Sequence, residues 1–127
     1  MGDISEHFSR REIQCKCSND CGFDTVDERL IRAAEQIRGF FNRPMIVHSS
    51  NRCYAHNMAV GGAKNSQHLL AKAMDFHLAG MNSLEDNERI ARWIDENVLT
   101  GTGGIGIYEN FIHIDVRWQM ARWHEDG

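Results

Sequence analysis

Leu30, Ala33, Ala34, Ile37 and Phe41 recur at helical spacing through "ERLIRAAEQIRGFF", which predicts an amphipathic helix with one face turned inward. Thr25-Val26-Asp27-Glu28, just before it, has the form of a capping box in which Thr25 and Glu28 satisfy each other's free backbone donors. Pro44 is expected to stop this helix. "MIVHSS" is rich in β-formers and reads as a first strand, followed by a loop and a short helix in "CYAHNMAV" that ends at Gly61-Gly62. "AMDFHLA" reads as the next strand. Ser83 caps a second helix in "LEDNERIARWIDENVL", where Ile90, Ile94 and Val98 sit four apart. "GTGGIGIY" and "FIHIDVRW" then form two strands joined around Glu109-Asn110. The order helix, strand, strand, helix, hairpin predicts an α+β fold with a small, mostly antiparallel sheet flanked by helices.

The same alternation carries the first chemistry. In "FIHIDVR" a period of two puts Phe111, His113, Asp115 and Arg117 on one face and Ile112, Ile114 and Val116 on the other. The aliphatic side chains claim the core, so His113 and Asp115 face a different environment. Asp75 stands in the neighbouring strand between Met74 and Phe76, and His68 precedes it by seven residues in "NSQHLLAKAMDF". Either His68 and Asp75 are incidental to a buried strand, or they are two members of a metal site whose third is His113. Two imidazoles and a carboxylate suit Zn²⁺, and three protein ligands leave a fourth position for water. His7, His48, His77 and His124 read as solvated or hydrogen-bonded histidines, and His56, near Arg52, is intermediate.

Length and charge narrow the class. A chain of 127 residues is expected to form one domain, residues 1–127, with a real core. A net charge of -4, with no basic stripe, argues against a nucleic-acid partner. No run approaches a membrane span and the start, "MGDISEHFSRREI", has no signal-peptide core. The expectation is a chain made in the cytoplasm without membrane insertion. Of the four cysteines, Cys15, Cys17 and Cys21 cluster in "CKCSNDCGF" and Cys53 stands apart. Reduced thiols, a structural four-thiolate metal site and disulfides all remain open readings of this set.

"SSNRCYAHNMAVGGAKNSQHLLAKAMDF" followed by "GGIGIYENFIHIDVR" closely resembles the zinc D-Ala-D-Ala carboxypeptidase family, peptidoglycan metallopeptidases that share a fold with lysostaphin-type enzymes and the hedgehog domain. The resemblance runs from about residue 4 to the end. It implies zinc on His68, Asp75 and His113, with Arg52 holding a substrate carboxylate or the developing oxyanion and Ser66 hydrogen-bonding the substrate or a ligand. It also implies hydrolysis of peptidoglycan stem peptides, at a terminal D-Ala-D-Ala bond or an internal L,D or D,D bond; the chain is expected to be a monomer. Many members carry an acidic base where this chain has Asn110, and others a histidine where it has Phe111. The base therefore falls to Asp115, which shares the face of His113 and could equally orient its ring, or to Glu109 in the turn. A small chain without an export signal resembles phage lysis or tail-associated peptidases, acting on the wall after lysis-type release or within a virion. The alternative is a zinc-stabilised binding or virion-assembly module on the same fold. A third reading puts metal on the cysteines alone.

Overall fold

A computed structural model describes residues 5–16, 27–51, 54–61, 67–70 and 72–124. Its elements are α1 (Arg10–Ile13), α2 (Glu28–Phe41), β1 (Met45–Ser49), α3 (Tyr54–Ala59), a 3-10 turn (Gln67–Leu70), β2 (Ala73–Leu78), α4 (Leu84–Asn97), β3 (Gly104–Ile107), β4 (Ile112–Asp115) and β5 (Ala121–His124). The five strands form one sheet in the order β1-β2-β4-β3-β5. All neighbours are antiparallel except β3 and β5, which run parallel. The α+β expectation holds, with β3 and β4 forming the anticipated hairpin. The short α1 and the parallel edge strand β5 were not anticipated.

The ends of α2 differ from expectation. Asp27, in extended backbone at φ −67° and ψ 128°, is the N-cap, and its carboxylate accepts from the Arg29 N–H at 2.9 Å. The Arg29 guanidinium grips the same carboxylate at 3.1 and 2.8 Å, so a charged cap does what a Thr25 hydroxyl was expected to do; Thr25 lies outside the described residues. At the other end Asn42 turns left-handed, at φ 52° and ψ 45°, and donates its N–H to the Arg38 carbonyl at 3.0 Å. The helix is therefore finished by an αL residue before Pro44 is reached. Ser83 caps α4 as predicted, accepting from the Asp86 N–H at 3.0 Å.

One face of the sheet is the core. Met74, Phe76 and Leu78 of β2, Ile105 of β3, and Ile112 and Ile114 of β4 meet Leu30, Ala34 and Ile37 of α2 and Ile90 and Ile94 of α4 in a single cluster, joined by Phe8 and Ile13. By the period of two, the intervening residues Asp75, His77, Gly104, Gly106, His113 and Asp115 share the opposite face. That face is not simply solvent-exposed, because Asp75, His113 and Asp115 are themselves buried. The register is strongly specified, since a one-residue slip of β4 would exchange isoleucines for His113 and Asp115.

Ile114 lies fully buried on the central strand. Ile114→Ala is expected to cost about 2–5 kcal/mol, read as a lower urea midpoint at unchanged slope; a loss below about 0.5 kcal/mol would contradict this packing.

Candidate metal centre

Pairing of β2 with β4 sets Asp75 directly opposite His113. The 3-10 turn that precedes β2 delivers His68 to the same spot, where the expectation was a loop. Asp75 Oδ1 lies 2.8 Å from His113 Nδ1 and 3.3 Å from His68 Nε2. The candidate ligand atoms of His68, Asp75 and His113 all lie within 4.8 Å of one another. The two imidazoles meet edge-on, with centroids 5.3 Å apart and planes at 69°. All three residues are at least nine-tenths buried, at 3, 7 and 8 % exposure for His68, Asp75 and His113.

The outer nitrogens fix which atoms face inward. His68 Nδ1 contacts the backbone carbonyl of Ser50. A carbonyl only accepts, so Nδ1 carries the proton and Nε2 presents a lone pair towards Asp75. His113 Nε2 lies 2.7 Å from Asp115 Oδ2 and Nδ1 lies 2.8 Å from Asp75 Oδ1, so without a cation both nitrogens can donate, and with Nε2 held by Asp115 it is Nδ1 that would give up its proton to a metal beside Asp75. The His68 Nε2 lone pair, His113 Nδ1 and a carboxylate oxygen thus converge. Electron-rich atoms so close in a buried pocket repel unless a proton or a cation lies among them. The donor set of two imidazole nitrogens and one carboxylate oxygen fits Zn²⁺.

Asp115 is wholly buried and its oxygens are crowded with donors. Besides His113, it accepts from the Gly104 N–H at 2.9 Å, the Arg117 N–H at 3.2 Å, and the Arg117 guanidinium at 2.8 Å through Nε and 2.7 Å through Nη2. Glycine is required at position 104 because a Cβ there would sit 2.2 Å from Asp115 Oδ2. Gly106 makes the same room for Trp123, whose indole would approach a Cβ to 2.4 Å. Trp123 packs 5.1 Å from His113 between ring centroids and donates its Nε1–H to the Tyr108 hydroxyl at 2.8 Å. Tyr108 in turn stacks on Phe111 at 4.3 Å. His48 and His77 pair with each other at 2.6 Å beside Phe111, as expected for hydrogen-bonded histidines.

Glu109 is exposed in the β3–β4 turn, where the Asn87 amide holds its backbone carbonyl at 3.3 Å. Arg52 and Ser66 lie outside the described residues, as do Cys17, Cys21 and Cys53. Cys15 is buried, and the four-thiolate metal is without support. Sequence reasoning missed Gly104, Gly106, Arg117, Trp123 and the Ser50 carbonyl. A signal existed for the glycines: "GGIGI" alternates glycine with isoleucine, and glycine on one face of a strand marks a close approach.

A carboxylate and two imidazoles buried together on an α+β sheet form a group that could hold a metal ion. The chain belongs to the peptidase M15 family, whose model, described as Peptidase M15, matches residues 6–115. That span includes all three converging side chains, and it is the family the motifs resemble. No curated protein matches the sequence. Among the described residues no helix is long and apolar enough to cross a membrane.

Charge in the centre is coupled to pH. Burial alone would raise the Asp75 and Asp115 carboxyls, but for Asp75 the His113 and His68 contacts, and for Asp115 the His113 and Arg117 contacts, outweigh it and hold both well below the usual range. Burial would lower His113, yet Asp115 and Asp75 overcome this and raise its pKa. A raised histidine contributes stability that is complete below its unfolded value of about 6.5 and is lost as pH rises through the folded value. The depressed carboxylates contribute above about 3.9 and lose their contribution as pH falls through their folded values. Metal-free protein is therefore expected to melt at lower temperature as pH rises from about 6 to about 9; a melting temperature that rises over this range would contradict the assigned contacts.

Proposed function

We propose that this peptidase is zinc-dependent and cleaves a peptide bond in the stem peptide of bacterial peptidoglycan, at a terminal D-Ala-D-Ala bond or at an internal L,D or D,D bond. The observation that carries the reading is the convergence of His68 Nε2 and His113 Nδ1 on Asp75 Oδ1 in a buried pocket. Membership of the peptidase M15 family supports the reaction class, and the motif resemblance supports the substrate.

Zinc held by His68, Asp75 and His113 would supply a water whose pKa is brought towards about 7 and a Lewis acid for the scissile carbonyl. The remaining work falls to the chain. Asp115 holds the His113 ring, because its oxygens are already committed to His113, Arg117 and the Gly104 N–H. A carboxylate so engaged is a poor proton acceptor, which favours Glu109 in the exposed turn as the base that takes the proton and returns it to the leaving amine. Arg52 binds the substrate carboxylate or the developing oxyanion, its charge fixed beforehand. Ser66 hydrogen-bonds the substrate. The lysis or virion setting follows from the same resemblance.

A second reading, a zinc-stabilised binding or virion-assembly module without turnover, draws on Asn110 standing where many relatives have an acid and on the committed state of Asp115. Incubation of zinc-loaded protein with purified muropeptides separates the two. The enzyme reading expects release of D-Ala or of a cleaved stem, abolished in His68→Ala and His113→Ala, reduced about 10²-fold or more in Glu109→Gln, and lost in Arg52→Ala without loss of metal. Zinc uptake with no cleavage of any muropeptide would favour the binding module.

A further inference from the structure

Asp115 is a carboxylate removed from water, and such a group needs several donors or an opposing charge to stay ionised and fixed. Arg117 provides both. Its Nε and Nη2 reach the two oxygens separately, at 2.8 Å to Oδ1 and 2.7 Å to Oδ2, the fork-on-carboxylate geometry that only a guanidinium offers. Oδ2 is also the oxygen that takes the His113 Nε2–H. The Arg117 guanidinium carbon lies 5.6 Å from the centre of the Trp123 ring, the ring that also flanks His113. Arg117 and Trp123 both follow residue 115, where the family match ends.

We propose that Arg117 is a positioning residue for the metal centre. By clamping both oxygens of Asp115 it holds the Asp115–His113 hydrogen bond, and through that bond it aims His113 Nδ1 at Asp75. The inference rests on the zinc reading above. Without the clamp, Oδ1 keeps only the Gly104 and Arg117 backbone N–H groups, and Oδ2 keeps only the imidazole it is meant to orient. The carboxylate can then swing about its own axis and the ring loses its stop. Lysine cannot replace the clamp, because a single ammonium cannot span both oxygens. The Arg117 side chain is 32 % exposed, so a small cation from solvent can reach the space it leaves.

The test compares wild type with Arg117→Ala, Arg117→Lys, Asp115→Asn and the Asp115→Asn/Arg117→Ala double variant. Zinc affinity is measured by competition with a chromophoric chelator, ligand geometry from the visible spectrum of the Co²⁺-loaded protein, and folding by circular dichroism. Arg117→Ala is expected to bind zinc about 10–100-fold more weakly with altered Co²⁺ bands, and added guanidinium ion should restore both. Arg117→Lys should recover only part of the affinity; it serves as the test variant if Arg117→Ala does not fold. In the Asp115→Asn background, removing Arg117 should add less than about twofold, since its effect runs through that carboxylate. Wild type that takes up zinc alongside an Arg117→Ala protein with unchanged affinity and spectrum would overturn this inference alone. Wild type that takes up no zinc would overturn the metal reading and the inference with it.

Discussion

The centre depends on one cross-strand pair, Asp75 against His113, held by the antiparallel register of β2 and β4. That register is fixed from the far side of the sheet, where Met74, Phe76, Ile112 and Ile114 have nowhere to go but the core. Hydrophobic burial therefore does positional work for a polar site. The isoleucines cannot leave the helices, so the carboxylate and the imidazole cannot leave each other. The 3-10 turn then needs only to bring His68 across a short span, and the Ser50 carbonyl at the end of β1 sets that ring's proton.

Around this pair the face is built in layers. Asp115 stands behind His113, Arg117 stands behind Asp115, and Trp123 covers the flank of both His113 and Arg117. The glycines of β3 let the layers close, since Asp115 and Trp123 occupy the volumes their Cβ atoms would fill. Rotating any outer member alters the direction of an inner one, because each contact is a directed hydrogen bond or a ring packed against its neighbour. A site of this kind is pre-organised by its support as much as by its ligands.

The sequence made α2, α4, four of the strands and the converging triad legible because each rests on a local period. Isoleucine alternating with His113 and Asp115 states which side is core, and the spacing from His68 to Asp75 needs only a strand and its approach. Features that arise from contacts between distant segments were not legible. Whether Asp115 serves as base or support depends on Gly104, which meets it only when β3 and β4 pair, and on the side chain of Arg117 two residues on, which must fold back to it. The edge strand "ARWH" is short and half-buried, with no alternation to announce it, and it acquires its place only by pairing with β3. The cap of α2 was assigned two residues early, since Asp27 is the N-cap. The contributions of Arg52 and Ser66 rest on the resemblance alone.

The central claim is that the two imidazoles bind metal through different nitrogens, His68 through Nε2 and His113 through Nδ1, because Ser50 and Asp115 hold the others. The most direct measurement is the ¹⁵N spectrum of histidine-labelled protein as zinc is added. The account predicts that His68 Nε2 and His113 Nδ1 shift to metal-bound positions while His68 Nδ1 and His113 Nε2 keep their protons. Coordination through the opposite nitrogen of either ring, or no shift at either residue with zinc in excess, would contradict it.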